Sequence, residues 1–222
     1  MNTTPEIFTE FLAQIARRFP RNDDVEALKS ALQSSDHPFW SDLAKHFGLK
    51  VKKIFSFLKT ITVGVVKAKN TDSCFTNETR YYYRDSDLDR YLPKNQPTQP
   101  ESKFAVCELT QAVTFKEMAE QILGVQGDIK TLAKLLKERG LATTLQAIEV
   151  LIERQENGED IGLLTNNWAN FFFVENEDGE SVSVVLVYRH ARRWVVHRSS
   201  LGYNNGWAAV RRFFLRNFSG TL

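Results

Sequence analysis

Between Trp40 and Thr60 the chain reads WSDLAKHFGLKVKKIFSFLKT. Leu43, Ala44 and Phe47 recur at helical spacing, Gly48 stands where a helix can end in a left-handed residue, and Leu49, Ile54, Phe57 and Leu58 supply a second apolar stripe. The spacing predicts two short helices meeting at a sharp turn. Ala44 is small where such helices approach closely, and Gly48 lacks the Cβ that opposes positive φ. Ser41 and Asp42 suit a helix N-terminus, where free backbone amides seek acceptors.

With its small residue, turn glycine and spaced hydrophobic positions in order, this stretch resembles the helix-turn-helix of bacterial and phage DNA-binding proteins. The resemblance implies a second helix over about Val51–Thr60, lying in the major groove with Lys50, Lys52, Lys53, Ser56 and Lys59 outward. Phe55 departs from the family, which has a polar residue there. The helix also lacks Arg, Asn and Gln, so the implied contacts are lysine to phosphate and not bidentate pairs to bases.

The segments 63–69 (VGVVKAK) and 79–85 (TRYYYRD) are β-prone and joined by a polar stretch. A hairpin directly after a helix-turn-helix resembles the wing of a winged-helix domain, closed by a short helix over 85–91. That resemblance implies wing contacts from Lys67, Lys69 and Arg80. Residues 22–35 read as an amphipathic helix that can supply the first helix of the winged fold. An earlier one, over 6–19, presents Ile7, Phe8, Phe11, Leu12 and Ile15 for packing or a dimer contact.

Charge is sorted along the chain. From Leu43 to Thr71 there are seven Lys and no acid, and from Ser181 to the end seven Arg and no acid. The net charge of +2 therefore hides 15 cations against all 27 acids elsewhere. Such sorting marks where a polyanion would sit, or where opposite faces pair in a dimer.

Residues 93–102, with Pro93, Pro97 and Pro100, read as a linker. Beyond it, Thr114 and Glu117 form a capping-box pattern opening the first of three short helices, with Gly140 and Gly158 as stops. Residues 114–175 are thus arranged as a degenerate second winged helix, although Glu149, Glu153 and Glu156 repel phosphate and fit docking or dimerisation better. Strands are expected over 167–175, 181–190 and 193–200, then a final helix over 206–218. Arg193 and Arg198 fall around the second hairpin and Arg211, Arg212 and Arg216 on that helix, a second phosphate-binding surface. The order helix, three strands, helix also resembles the double-stranded-RNA-binding domain, but LGYNNGW (201–207) lacks that family's lysine cluster, so no residues carry over.

Cys74 and Cys107 lack metal-site spacing and read as reduced thiols, Cys74 in the wing. His190 and His197 are spaced to meet across a hairpin, yet no triad, metal signature or phosphate loop accompanies them. No catalytic residue, metal or cofactor is expected. No membrane span or leader pattern is visible, which fits a cytoplasmic protein. The sequence reading is an α+β chain with four parts: an N-terminal helix (1–21), a winged helix-turn-helix domain (22–92), a linker (93–102) and a C-terminal domain (103–222) of helices, a three-stranded antiparallel sheet and a final helix. Its expected function is binding of double-stranded DNA as a transcription or replication regulator, as a homodimer or with a protein partner on the C-terminal domain. The alternative is an adaptor or inhibitor whose winged-helix units dock protein.

Overall fold

Three consecutive phenylalanines, Phe171 to Phe173, are fully buried. Neighbours on a strand point to opposite faces, so the sheet that holds them must be covered on both sides. The computed structural model describes residues 54–218, within a compact unit that spans Lys53–Leu222. Its strands are β1 (Phe55–Val63), β2 (Lys69–Asn70), β3 (Tyr81–Arg84), β4 (Asn95–Gln96), β5 (Ser102–Leu109), β6 (Asn170–Glu175), β7 (Val182–His190), β8 (Arg193–Ser200) and β9 (Arg212–Arg216). The helices are α1 (Asp87–Tyr91), α2 (Phe115–Leu123), α3 (Ile129–Glu138) and α4 (Leu145–Glu156). Seven strands form one mixed sheet in the order β1-β5-β9-β6-β7-β8-β3, and β2 pairs with β4. The β6–β9 and β3–β8 pairs are parallel, and the other neighbours in the large sheet are antiparallel.

Each face has its own core. On one, Phe171, Phe173, Phe213 and Leu215 pack against Phe115 and Met118 of α2 and Leu132 and Leu136 of α3. On the other, Phe172, Phe214, Val185 and Trp194 meet Ile148, Leu151 and Ile152 of α4 and Leu88 of α1. Phe172 and Phe214 stack across the β6–β9 pair at 4.8 Å between centroids. The expected capping box is present: Thr114 accepts from the Glu117 amide, Glu117 returns a bond to the Thr114 amide, and Gly124 ends α2 at φ 68°.

The winged-helix arrangement is overturned. Residues 55–63, expected to hold most of the recognition helix, form β1 and pair antiparallel with β5. Helical spacing groups Ile54, Phe57 and Leu58, but Phe57 and Leu58 are 55% and 41% exposed while Phe55, Ile61 and Val63 are buried. A bulge between Phe57 and Lys59 shifts the register and disguises the two-residue period of a strand. The expected wing does not form: Val66 makes only an isolated bridge to Gln99, and β3 pairs with β8. The short helix after it is present as α1. The helices expected over 6–19, 22–35 and 41–50 lie outside the described residues.

The proline-rich stretch is part of the fold. Gln96 and Gln99 are buried and lie at the start of α4. Gln99 Oε1 accepts from Thr143 Oγ1 at 2.8 Å and from the Thr144 amide at 3.2 Å, and Gln96 Oε1 accepts from the Leu145 amide at 3.3 Å. Side chains from a remote segment thus satisfy amides that a helix leaves free at its N-terminus. The three helices expected within a second winged helix exist as α2, α3 and α4, but they divide between the two faces of the sheet. Strands expected over 167–175, 181–190 and 193–200 appear as β6, β7 and β8, in a sheet of seven strands and not three. The final helix is instead β9, inserted between β5 and β6. Phe213, Phe214 and Leu215 are all buried, and a short continuous apolar run fits a strand covered on both faces as well as it fits a helix.

Candidate functional site

The core beneath α2 and α3 stops at β7. Val184 and Leu186 belong to it, and no described residue of β8 or β3 does. Beyond it the same face carries rings. Leu186 stands opposite His197 in the β7–β8 register, which puts His197 on that same face, and Tyr188 follows Leu186 by two residues. The His197 ring lies nearly parallel to Tyr188 at 6.0 Å and 13°, and 4.8 Å from Tyr83 on β3. Tyr83, His197 and Tyr188 therefore form a ladder across three strands.

The segment between β8 and β9 builds the opposing wall. Backbone bonds between Trp207 and Val113, at 3.0 and 2.7 Å, fix its path. The Trp207 indole packs on Phe115 and Phe171 at 5.3 and 5.1 Å, with exposed Tyr203 beside it at 6.3 Å. The Arg211 guanidinium lies over the rings of Trp168 and Trp207 at 4.6 and 5.5 Å, and its Nη1 donates to Ala208 O at 3.0 Å. Its Nε and the Trp207 Nε1 are buried without a partner among the described residues. Burial pushes the Arg211 guanidinium below its ordinary pKa, because a desolvated cation loses water that nothing here fully replaces. Asn167, at φ 67°, turns the chain before Trp168 in a conformation asparagine tolerates. Together these walls enclose a cleft of about 440 Å³ whose lining includes Asn167, Leu186, Tyr188, His197, Tyr203, Trp207 and Arg211, and no carboxylate.

Asp85 backs the ladder. It accepts from the Asp87 amide at 3.0 Å and the Arg198 amide at 3.2 Å, and its Oδ2 lies 3.5 Å from His197 Nδ1. Burial raises the Asp85 carboxyl, but these two amides and the His197 ring outweigh it and hold the group below the ordinary carboxylate value. The contact places a carboxylate beside the imidazole of His197, which lines the cleft.

The cations expected to bind nucleic acid are mostly engaged within the fold. Lys50, Lys52 and Lys53 lie outside the described residues. Ser56 and Lys67 are exposed on β1 and the loop after it, away from the cleft lining. Lys59 pairs with Asp160 at 2.6 Å, Lys69 with Glu149 at 2.5 Å and Arg80 with Glu153 at 2.6 Å. Arg193 donates to Glu78 O and lies over Tyr82 at 4.9 Å. Arg198 borders the cleft, but its guanidinium faces Tyr91 at 4.0 Å and its Nε donates to Ser183 Oγ. Arg212 donates to Gly162 O and Arg216 to Ala142 O. Of the ten that are described, only Arg198 and Arg211 line the cleft. Of the acids expected to repel phosphate, Glu149 and Glu153 on α4 pair with Lys69 and Arg80 instead.

His190 stands opposite Arg193 and His197 opposite Leu186, so the two histidines are not cross-strand partners. Cys74 is buried and not in an exposed wing; it and Cys107 are free thiols, each pushed up to about 12 by burial. Among the described residues no group of three His, Cys, Asp or Glu could hold a metal ion, and no helix is long and apolar enough to cross a membrane. Sequence reasoning missed Trp168, Tyr188 and Tyr203 as site residues. The available signal was the density of rings and arginines across 203–212 inside an acid-free window. Comparison with family models, with curated proteins and with solved structures finds no match to this chain.

Proposed function

We propose that this protein binds nucleic acid and that the contact surface is the cleft lined by His197, Tyr188, Trp207, Tyr203 and Arg211, with Tyr83 beside it. One observation carries the reading: aromatic faces and a partly desolvated arginine converge on a cleft with no carboxylate in its lining. Nucleic acid offers the complementary pair of groups, since bases stack on rings and phosphate oxygens accept from guanidinium. The winged helix plays no part in this reading.

The test is titration of fluorescent oligonucleotides at rising salt. Binding weakens linearly on a log–log plot, with a slope that falls by about 0.7–0.9 when Arg211→Ala removes one phosphate contact. Absence of binding to any oligonucleotide at 20–50 mM salt, roughly the low end at which such contacts are strongest, refutes it.

Exposed Phe57 and Leu58 on the edge strand β1 favour a second reading, association with another copy of the chain by strand addition. Sedimentation velocity tests it: concentration-dependent association that Phe57→Lys abolishes supports it, and a concentration-independent monomer excludes it.

A further inference from the structure

The geometry points to a single-stranded ligand, held with one unpaired base inside the cleft and a neighbouring base on the ring ladder; this rests on the nucleic-acid reading above. In a duplex both faces of each internal base are already covered by neighbouring pairs. A protein ring gains stacking only from a base that is unpaired and turned out of its stack. Here rings of the site are accessible. Tyr83 is 44% exposed and Tyr203 42%, and the His197 side chain is 39% exposed between Tyr83 and Tyr188.

Size and charge point the same way. A cleft of about 440 Å³ falls within the roughly 300–1,000 Å³ of pockets that take small molecules, so it has room for one nucleotide unit and none for a paired helix. Duplex binding depends on many phosphate contacts. Among the described residues, Lys59, Lys69 and Arg80 are paired with Asp160, Glu149 and Glu153, and of the two arginines that line the cleft, Arg198 turns its guanidinium to Tyr91, which leaves Arg211. Few phosphate contacts and several rings are the balance of a single-strand site, where stacking contributes about as much as charge. Asn167 and the arginines are the lining groups able to pair bidentately with a base edge, and the rest of the lining is mostly rings and aliphatic side chains, so stacking outweighs base readout.

The experiment is fluorescence anisotropy of the full chain with labelled 12-nucleotide single-stranded DNA, single-stranded RNA of the same sequence, and the 12-base-pair DNA duplex, lengths on the order of one single-strand binding site. The expected result is that at least one single strand binds ten-fold or more tightly than the duplex. Tyr188→Leu and Tyr203→Ala each then weaken that binding roughly 5- to 150-fold, the range for loss of one base–aromatic stack. Tyr188→Phe, which keeps the ring, retains binding, and this separates stacking from hydroxyl chemistry. Trp207 is also a core residue, so its variants are not needed for the test. Duplex binding equal to or tighter than both single strands overturns the inference and leaves the nucleic-acid reading standing; single-strand binding that Tyr188→Leu and Tyr203→Ala leave unchanged overturns the inference and the cleft as the contact surface. No binding to any of the three overturns both.

Discussion

Replacing Gln99 by alanine tests whether the proline-rich segment is structural. Gln99 is 2% exposed; its Oε1 accepts from the Thr143 hydroxyl, the Thr144 amide and, at 3.3 Å, the Thr144 hydroxyl, and its Nε2 donates to Ser102 Oγ at 3.0 Å. Truncation leaves the Thr144 amide, at the N-terminus of α4, without its acceptor in a dry environment. A stranded buried donor costs about 1–3 kcal/mol, and hydroxyls can rotate toward other acceptors while an amide cannot. Adding about 1 kcal/mol for the other bonds gives a destabilisation of about 2–4 kcal/mol. For a unit of this size that corresponds to a fall in Tm of roughly 4–16 °C. Urea unfolding followed by tryptophan fluorescence measures it, with the slope of the transition unchanged if the fold is intact. A loss below about 0.5 kcal/mol, the scale of a surface substitution, refutes the reasoning and restores the segment as a linker.

Phe172→Ala removes a fully buried ring stacked on Phe214 and should cost about 3–5 kcal/mol in the same unfolding assay. Asp85→Asn tests the carboxylate behind the ladder. The folded-state pKa of Asp85 is depressed, so its contribution is present above the ordinary value of 3.8 and is lost as pH falls through the folded value. The stability gap between wild type and variant should therefore be widest near neutrality and close in acid; a gap independent of pH contradicts the assignment. Cys74 and Cys107, buried and held up to about 12, should not react with a thiol reagent at pH 8 until the protein unfolds. Lys59→Ala should change stability by less than about 1 kcal/mol, since its partner Asp160 is 88% exposed.

Local chemistry was legible where the deciding groups are close in sequence. Thr114 and Glu117 announce α2 because both halves of the capping box lie within four residues, and β6 to β8 show through their β-branched and aromatic runs. The failures share a physical cause. FSFLKTITV (55–63) and RFFLR (212–216) are short apolar runs whose period a bulge or burial on both faces erases. Their identity as strands is set by partners about fifty residues away for β1 with β5, and over a hundred for β9 with β5. The role of Gln96 and Gln99 depends equally on α4, which lies beyond two other helices in the chain.

The site follows the same division. An acid-free carboxyl-terminal window was visible in the sequence, but which of its arginines stays available was not. That depends on where Glu108, Gly162 and Ala142 meet Arg212 and Arg216, and on the two indoles that hold Arg211. The lysine-rich window illustrates it further. Lys69 looks unopposed along the chain, yet it faces Glu149 on α4.

Photocrosslinking locates the nucleic-acid contact most directly. A 12-nucleotide strand carrying 5-iodouracil, about one single-strand site in length, is irradiated with the full chain and the modified peptides are sequenced by mass spectrometry. Adducts on Tyr188, Tyr203 or Trp207 are the predicted result. Adducts confined to β1 and Lys67, or none despite measurable binding, would contradict the cleft as the contact surface.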